Sequence, residues 1–83
     1  MERKVAVISI IVEDRSAAGT INGILHDYAS EIIGRMGLPY AQRDISIICV
    51  ALDAQEDRVC ALTQALDGIP GVKAQTVISD HVA

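Results

Sequence analysis

Two stretches of the chain are apolar at nearly every position. Lys4 is followed by VAVISIIV, Val5 to Val12, and later comes ISIICVAL, Ile45 to Leu52. A strand with one wet face alternates apolar and polar side chains, whereas one covered on both faces reads as a short unbroken β-branched run. Both stretches are of the second kind and predict central strands, Lys4–Val12 and Ile45–Leu52. Between them the period changes to 3.6. Ala17, Ile21, Ile24, Leu25, Tyr28, Ile32 and Met36 share one helical face, which predicts a helix over Ala17–Met36. Asp14 or Ser16 supplies its cap, and Gly37-Leu38-Pro39 ends it. A short extended piece, Tyr40–Arg43, follows. After the second apolar run, Asp53 opens another helix in an Asp53-x-x-Glu56 capping box. Val59, Leu62, Leu66 and Ile69 form its buried stripe, with Gly68 as C-cap and Pro70-Gly71 as the seal. Val72–Ser79, interleaved with Lys73, Gln75 and Thr76, predicts a last strand, and Asp80–Ala83 a loose tail.

The predicted order is β-α-β-β-α-β in one domain spanning residues 1–83. That is the α+β, ferredoxin-like split-βαβ pattern, a two-layer sandwich with an antiparallel sheet and both helices on one face. Its strand order, four-one-three-two, puts the two doubly apolar strands side by side in the middle. Two helices cover only one face. With Ile8, Ile10, Val12, Ile48, Val50 and Leu52 turned to the helices, Val5, Val7, Ile11, Ile47, Cys49 and Ala51 turn the other way. An apolar patch of that kind exceeds what a soluble monomer ordinarily tolerates, and each buried aliphatic side chain is worth about 1.5–3 kcal/mol. The expected cover is a second copy of the chain, in a dimer or tetramer.

Composition narrows the function. The chain has 83 residues, 51% apolar and 22% charged, with two Tyr and neither Phe nor Trp. The core is therefore aliphatic. Seven basic against eleven acidic residues give a net charge of −4. Without a basic face or stacking aromatics, direct nucleic-acid binding is not expected, nor is a polybasic membrane contact. The first apolar run stops at Glu13-Asp14-Arg15, too soon for a signal core or a membrane span, so a cytoplasmic location is expected. Cys49 and Cys60 form no CxxC or CxxH motif and read as two free thiols.

Several local sequences resemble a known family. IIVEDRSAAGTINGIL, from the first strand into the first helix, resembles the strand–Asp-Arg–helix junction of ACT domains. LDGIPGVKAQTV resembles the Pro-Gly-Val passage from the last helix to the last strand of the same superfamily. End to end, the chain resembles a small stand-alone family named for regulation of the iron-only hydrogenase system. The resemblance rests on Val12-Glu13-Asp14-Arg15, Leu25-His26 and Leu38-Pro39-Tyr40, in that order and spacing. It is also similar in fold to the C-terminal, metal-sensing half of nickel-responsive regulators. The resemblance implies an ACT-like regulatory domain that pairs with itself and binds a small ligand beside the first strand–helix loop. Where ACT domains place Pro-Gly after Asp-Arg, this chain has Ser16-Ala17, with Gly19 following.

The candidate ligand residues are Asp14, Arg15, Ser16 and Gly19. The start of a helix offers unpaired N–H groups, and Arg15 adds a planar donor suited to carboxylate or phosphate. An anionic or zwitterionic ligand, shared between subunits, is expected. His26 shares the far side of the predicted first helix with Gly19, Asn22, Gly23, Ser30 and Gly34, a face suited to contact or simply to solvent. The metal-binding residue types, His26, His81, Cys49 and Cys60, fall on separate elements without ligand spacing, so no metal site and no cofactor are expected. Helix capping accounts for the carboxylates Glu13, Asp14, Asp53, Glu56 and Asp57, and no nucleophile–base set can be read. The expectation is a non-catalytic, oligomeric regulatory domain acting through a partner protein. A metal-responsive module and a small enzyme of the same fold are the other readings.

Overall fold

A computed structural model describes residues 2–81. Strand β1 (Arg3–Val12) leads through a turn of 3-10 helix (Arg15–Ala17) into helix α1 (Ala18–His26). A second 3-10 turn (Ala29–Glu31) precedes strand β2 (Ile32–Tyr40), and a third (Ala41–Arg43) precedes strand β3 (Ile45–Gln55). Helix α2 (Glu56–Asp67) and strand β4 (Val72–Ile78) complete the chain. The sheet is antiparallel, in the order β2-β3-β1-β4. The α+β ferredoxin-like arrangement is the one the hydrophobic pattern predicts, with the two doubly apolar strands in the centre. Of the predicted tail, Asp80 and His81 carry no regular structure, and the last two residues lie outside the described ones.

Both helices lie on one face of the sheet. Ile8, Ile10, Val12, Val50 and Leu52 meet Ile21 and Leu25 of α1 and Val59, Leu62 and Leu66 of α2 in a single buried aliphatic cluster. Ile48 packs against its edge.

Three local predictions are corrected. The helix expected over Ala17–Met36 stops at His26, and Ile32–Tyr40, including Met36, is strand β2. Gly34, Gly37 and Pro39 are poor helix formers, while β3 offers an unpaired edge that this stretch completes. A bulge between Ile32 and Gly34 breaks the alternation, so no period of two marks the strand. The turn before it is latched to α2. Arg58 donates through Nε to both Glu31 carboxylate oxygens at 3.1 and 3.2 Å and through Nη2 to Oε1. Its guanidinium lies 4.3 Å from the Tyr28 ring centre, a cation–π contact. This bonding holds the Glu31 carboxyl below its ordinary pKa.

The second correction concerns Asp53, which lies in β3 rather than capping α2. Residue Gln55 is the N-cap and makes no side-chain cap bond. The strand runs on because β1 begins at Arg3, which pairs with Gln55; the Arg3 guanidinium donates to the Asp53 carbonyl at 2.7 Å. Glu56, the other half of the expected box, accepts from Lys4 Nζ at 2.9 Å, which raises the Lys4 pKa. Third, Tyr40–Arg43 is not an extended piece. It is the end of β2 and a 3-10 turn, closed by Asp44 in the left-handed region at φ 55°. With α1 this short, Gly19, Asn22, Gly23 and His26 share a helix, but Ser30 and Gly34 fall on other elements.

Both cysteines are free thiols; Cys60 is exposed on α2 and Cys49 half-buried on β3. A thiol reagent should therefore modify Cys60 first in the native protein. Mass mapping that found Cys49 reacting faster would contradict the placement of both elements.

Candidate functional site

The β1–α1 junction is assembled from two distant parts of the chain. At the end of β1 the backbone N–H groups of Glu13 and Asp14 donate to the Gly71 carbonyl at 2.7 and 3.2 Å. Gly71 has φ +77°, and a Cβ built on it would lie 2.5 Å from Asp14 Cβ. The Asp-Arg and Pro-Gly segments thus form a single contact. Asp14 Oδ1 accepts from Ser16 N at 3.0 Å and from Ser16 Oγ at 2.7 Å, capping the 3-10 turn. Those two bonds hold the Asp14 carboxyl below its ordinary pKa, the hydroxyl contributing most. Asp14 and Ser16 therefore satisfy one another. Arg15 reaches the β2–β3 turn and donates to Asp44 Oδ1 at 3.0 Å, with both side chains mostly exposed.

Of the four predicted ligand residues, only Arg15 lines a concavity. A groove of about 450 Å³ runs between α1 and β2, walled by Arg15, Ala18 and Asn22 on one side and by Arg35, Gly37 and Pro39 on the other. Val12, Ile21 and Ile48 contribute apolar lining. A second hollow of about 290 Å³ shares Asn22 and Arg35 and adds Leu25, His26 and Ile32. Asn22 Oδ1 accepts from Arg35 Nη2 at 3.2 Å across the groove. Gly19 lines neither hollow, and nothing lies within 4 Å of where its Cβ would be. Asn22 and His26, which the sequence places on the small-residue face of the first helix, do line hollows, whereas Arg35 and Ser46 carry no such signal in the sequence. Arg35 falls in the stretch whose period predicts a helix, and no local signal distinguishes an arginine facing a groove from one facing solvent.

The sheet face opposite the helices is the second candidate surface. Val5, Val7, Ile11 and Ile47 lie on it, 46%, 42%, 43% and 38% exposed, with Cys49 and Ala51 half-buried beside them. Directly paired residues in an antiparallel sheet share a face. The register therefore adds Leu38 opposite Ile47, Met36 opposite Cys49, Tyr40 opposite Ile45 and Val77 opposite Val7. All four are exposed. The helical period of the sequence places Met36 on the buried side of a helix, so nothing in it points to this face. Among the described residues, no three His, Cys, Asp or Glu side chains stand close enough to hold a metal ion, and no helix is long and apolar enough to cross a membrane.

Comparison with known proteins agrees with this architecture. The structure of the uncharacterized protein TM1266 from Thermotoga maritima superposes with a TM-score of 0.87 at 33% sequence identity, over 93% of this chain and 98% of that one. An unknown protein from Galdieria sulphuraria shares the fold, with a TM-score of 0.71 at 17% identity; the match covers 99% of this chain, which spans about half (48%) of that one. No curated protein matches the chain. A family model described as "TM1266-like: Iron-only hydrogenase system regulator, putative" matches residues 4–76. With that match over most of its length, and with the doubly apolar central strands and the joined Asp-Arg and Pro-Gly segments on which its fold is built, the chain belongs to the TM1266-like family.

Proposed function

We propose that the protein is a non-catalytic regulatory domain that works in the cytoplasm as a homo-oligomer, a dimer or tetramer, paired through its open sheet face. A small anionic or zwitterionic ligand binds beside the first strand–helix junction, at Arg15. The family description supports regulation, and the iron-only hydrogenase system is the process it names. The net charge of −4 supports a protein partner rather than nucleic acid or an anionic membrane as the target.

The open face carries this reading. Eight of its large apolar side chains are exposed, and their combined area is several hundred Å², comparable to the roughly 800 Å² each partner contributes to a standard interface. The occupant favoured is a second copy: the two central strands present the uncharged rows Val7–Ala51 and Ile11–Ile47, while Lys73 on edge strand β4 and Asp53 opposite Val5 carry opposite charges that two copies can pair. Two such sheets stack about 10 Å apart with their side chains interdigitated.

Light scattering at micromolar concentration should show a multiple of 8.8 kDa, and a species of 8.8 kDa overturns the assembly. For the ligand, a thermal-shift screen with amino acids, nucleotides and divalent metals should find a compound that raises the melting temperature. Arg15→Ala should abolish that shift and leave the mass unchanged. A hit that shifts Arg15→Ala as much as the parent removes Arg15 from the site.

A further inference from the structure

Eleven of the chain's side chains are acidic and seven are basic, yet the groove between α1 and β2 has the opposite character. Among the described residues, Arg15, Arg35 and His26 are the only titratable side chains lining it and the adjoining hollow, and no carboxylate does so. Arg35 lies within salt-bridge distance of no carboxylate among the described residues, and its one side-chain partner is the neutral Asn22 amide. That bond orients one edge of the guanidinium and leaves further N–H donors for another acceptor. Arg15 is paired with Asp44, but both are largely exposed, and such a pair exchanges readily for a better acceptor.

The two arginines enter from opposite ends. Arg35 pairs with Val50 and Pro39 with Ser46, so Arg35 is rooted four residues, or about 13 Å along the strand, from Pro39, which together with Arg15 and Ser46 also borders the hollow at the β2–β3 turn. Between them the lining is mostly aliphatic, with the neutral Asn22 and Ser46, and among the described residues no aromatic ring lines either hollow, so a base or aromatic ring finds nothing to stack on. Gly37 lies between Arg35 and Pro39 on the same wall, with nothing within 4 Å of where its Cβ would be. A side chain there would take up groove volume beside the strand segment that joins Arg35 to Pro39.

We infer that this groove binds a small aliphatic molecule with an anionic group at each end, a chain of a few methylenes bearing a carboxylate or phosphate at either end, held by Arg15 at one end and Arg35 at the other. Guanidinium forks bind both kinds of group bidentately. The inference rests on the proposed ligand site at Arg15 and extends it along α1 to a second anchor that the strand–helix loop does not contain.

Isothermal titration calorimetry with adipate, suberate, butane-1,4-diol bisphosphate and the monoanion hexanoate tests it. At least one of the three two-ended acids (called dianions for their two charged ends) should bind roughly tenfold more tightly than hexanoate, the value of a second charge-assisted contact, and comparison of the dicarboxylates with the more highly charged bisphosphate identifies the preferred acid. Arg35→Gln should reduce that dianion to the affinity of hexanoate, and Gly37→Val should block binding without changing any charge. Both positions are exposed, so the variants should keep the parent circular dichroism spectrum. Equal affinity for monoanion and dianions, no binding by any of the four, or unchanged affinity in both variants overturns the inference. Amide chemical-shift changes at Asp14–Gly19 with none at Asn22 or Arg35 would overturn this groove while leaving the loop site standing, and light scattering tests the assembly separately.

Discussion

Ile47→Lys is expected to convert the oligomer into folded 8.8 kDa monomers. Ile47 lies between Ile11 of β1 and Leu38 of β2, and all three turn to the open face. In a face-to-face assembly an ammonium at this point would lose its water without gaining an acceptor. Burying an uncompensated charge costs several kcal/mol, enough to weaken association by about a thousandfold or more. The monomer would tolerate the change, because Ile47 is 38% exposed there and Lys73 already occupies the same row of the sheet, opposite Ile11. Light scattering should report the smaller mass, and circular dichroism an unchanged fold. An Ile47→Lys protein with the parent's mass would place the interface elsewhere.

Gly71→Ala is expected to have the largest effect on folding. The backbone there is left-handed at φ +77°, a conformation costing an alanine about 1–2 kcal/mol. The new methyl would also overlap Asp14 Cβ at 2.5 Å and crowd Asp14 N at 3.3 Å. Relieving such overpacking costs about 1–3 kcal/mol more. A total near 3 kcal/mol would be a large part of the ~5–15 kcal/mol that holds a domain folded, and should lower the melting temperature by more than about 10 °C. Because Gly71 accepts the Glu13 and Asp14 N–H bonds, the amide signals from Glu13 to Ala17 should shift as well. Chemical denaturation within about 0.5 kcal/mol of the parent would show that the contact yields without strain.

The Gly71–Asp14 contact also gives a physical reason for two separate sequence features. The Asp-Arg and Pro-Gly segments, which suggested the family, are more than fifty residues apart in the chain. In the fold one is seated against the other, and the carbonyl of Gly71 fixes the position from which Arg15 departs. The geometry at the start of α1 is therefore set by a segment distant in sequence and adjacent in space.

Much of the fold was legible in the sequence because it rests on burial that repeats along a segment. Val5–Val12 and Ile45–Leu52 are apolar at successive positions, a pattern suited to strands covered on both sides, and that placed them in the middle of the sheet. The spacing of Val59, Leu62 and Leu66 defined the buried side of α2, and the alternation within each central strand divided residues between the helix face and the open face. Only the tertiary structure settled the features that depend on partners distant in sequence. Edge strand β2 has Gly34, Gly37 and Pro39 and a bulge; its strand conformation comes from pairing with β3 more than from its own propensity. The last residues of β3 are strand because Arg3 and Lys4 lie opposite them. The groove belongs to the same class, since Arg15 and Arg35 face one hollow only after α1 ends early and β2 folds back beside it. A local period records which side of an element is buried, but not which element will lie against it.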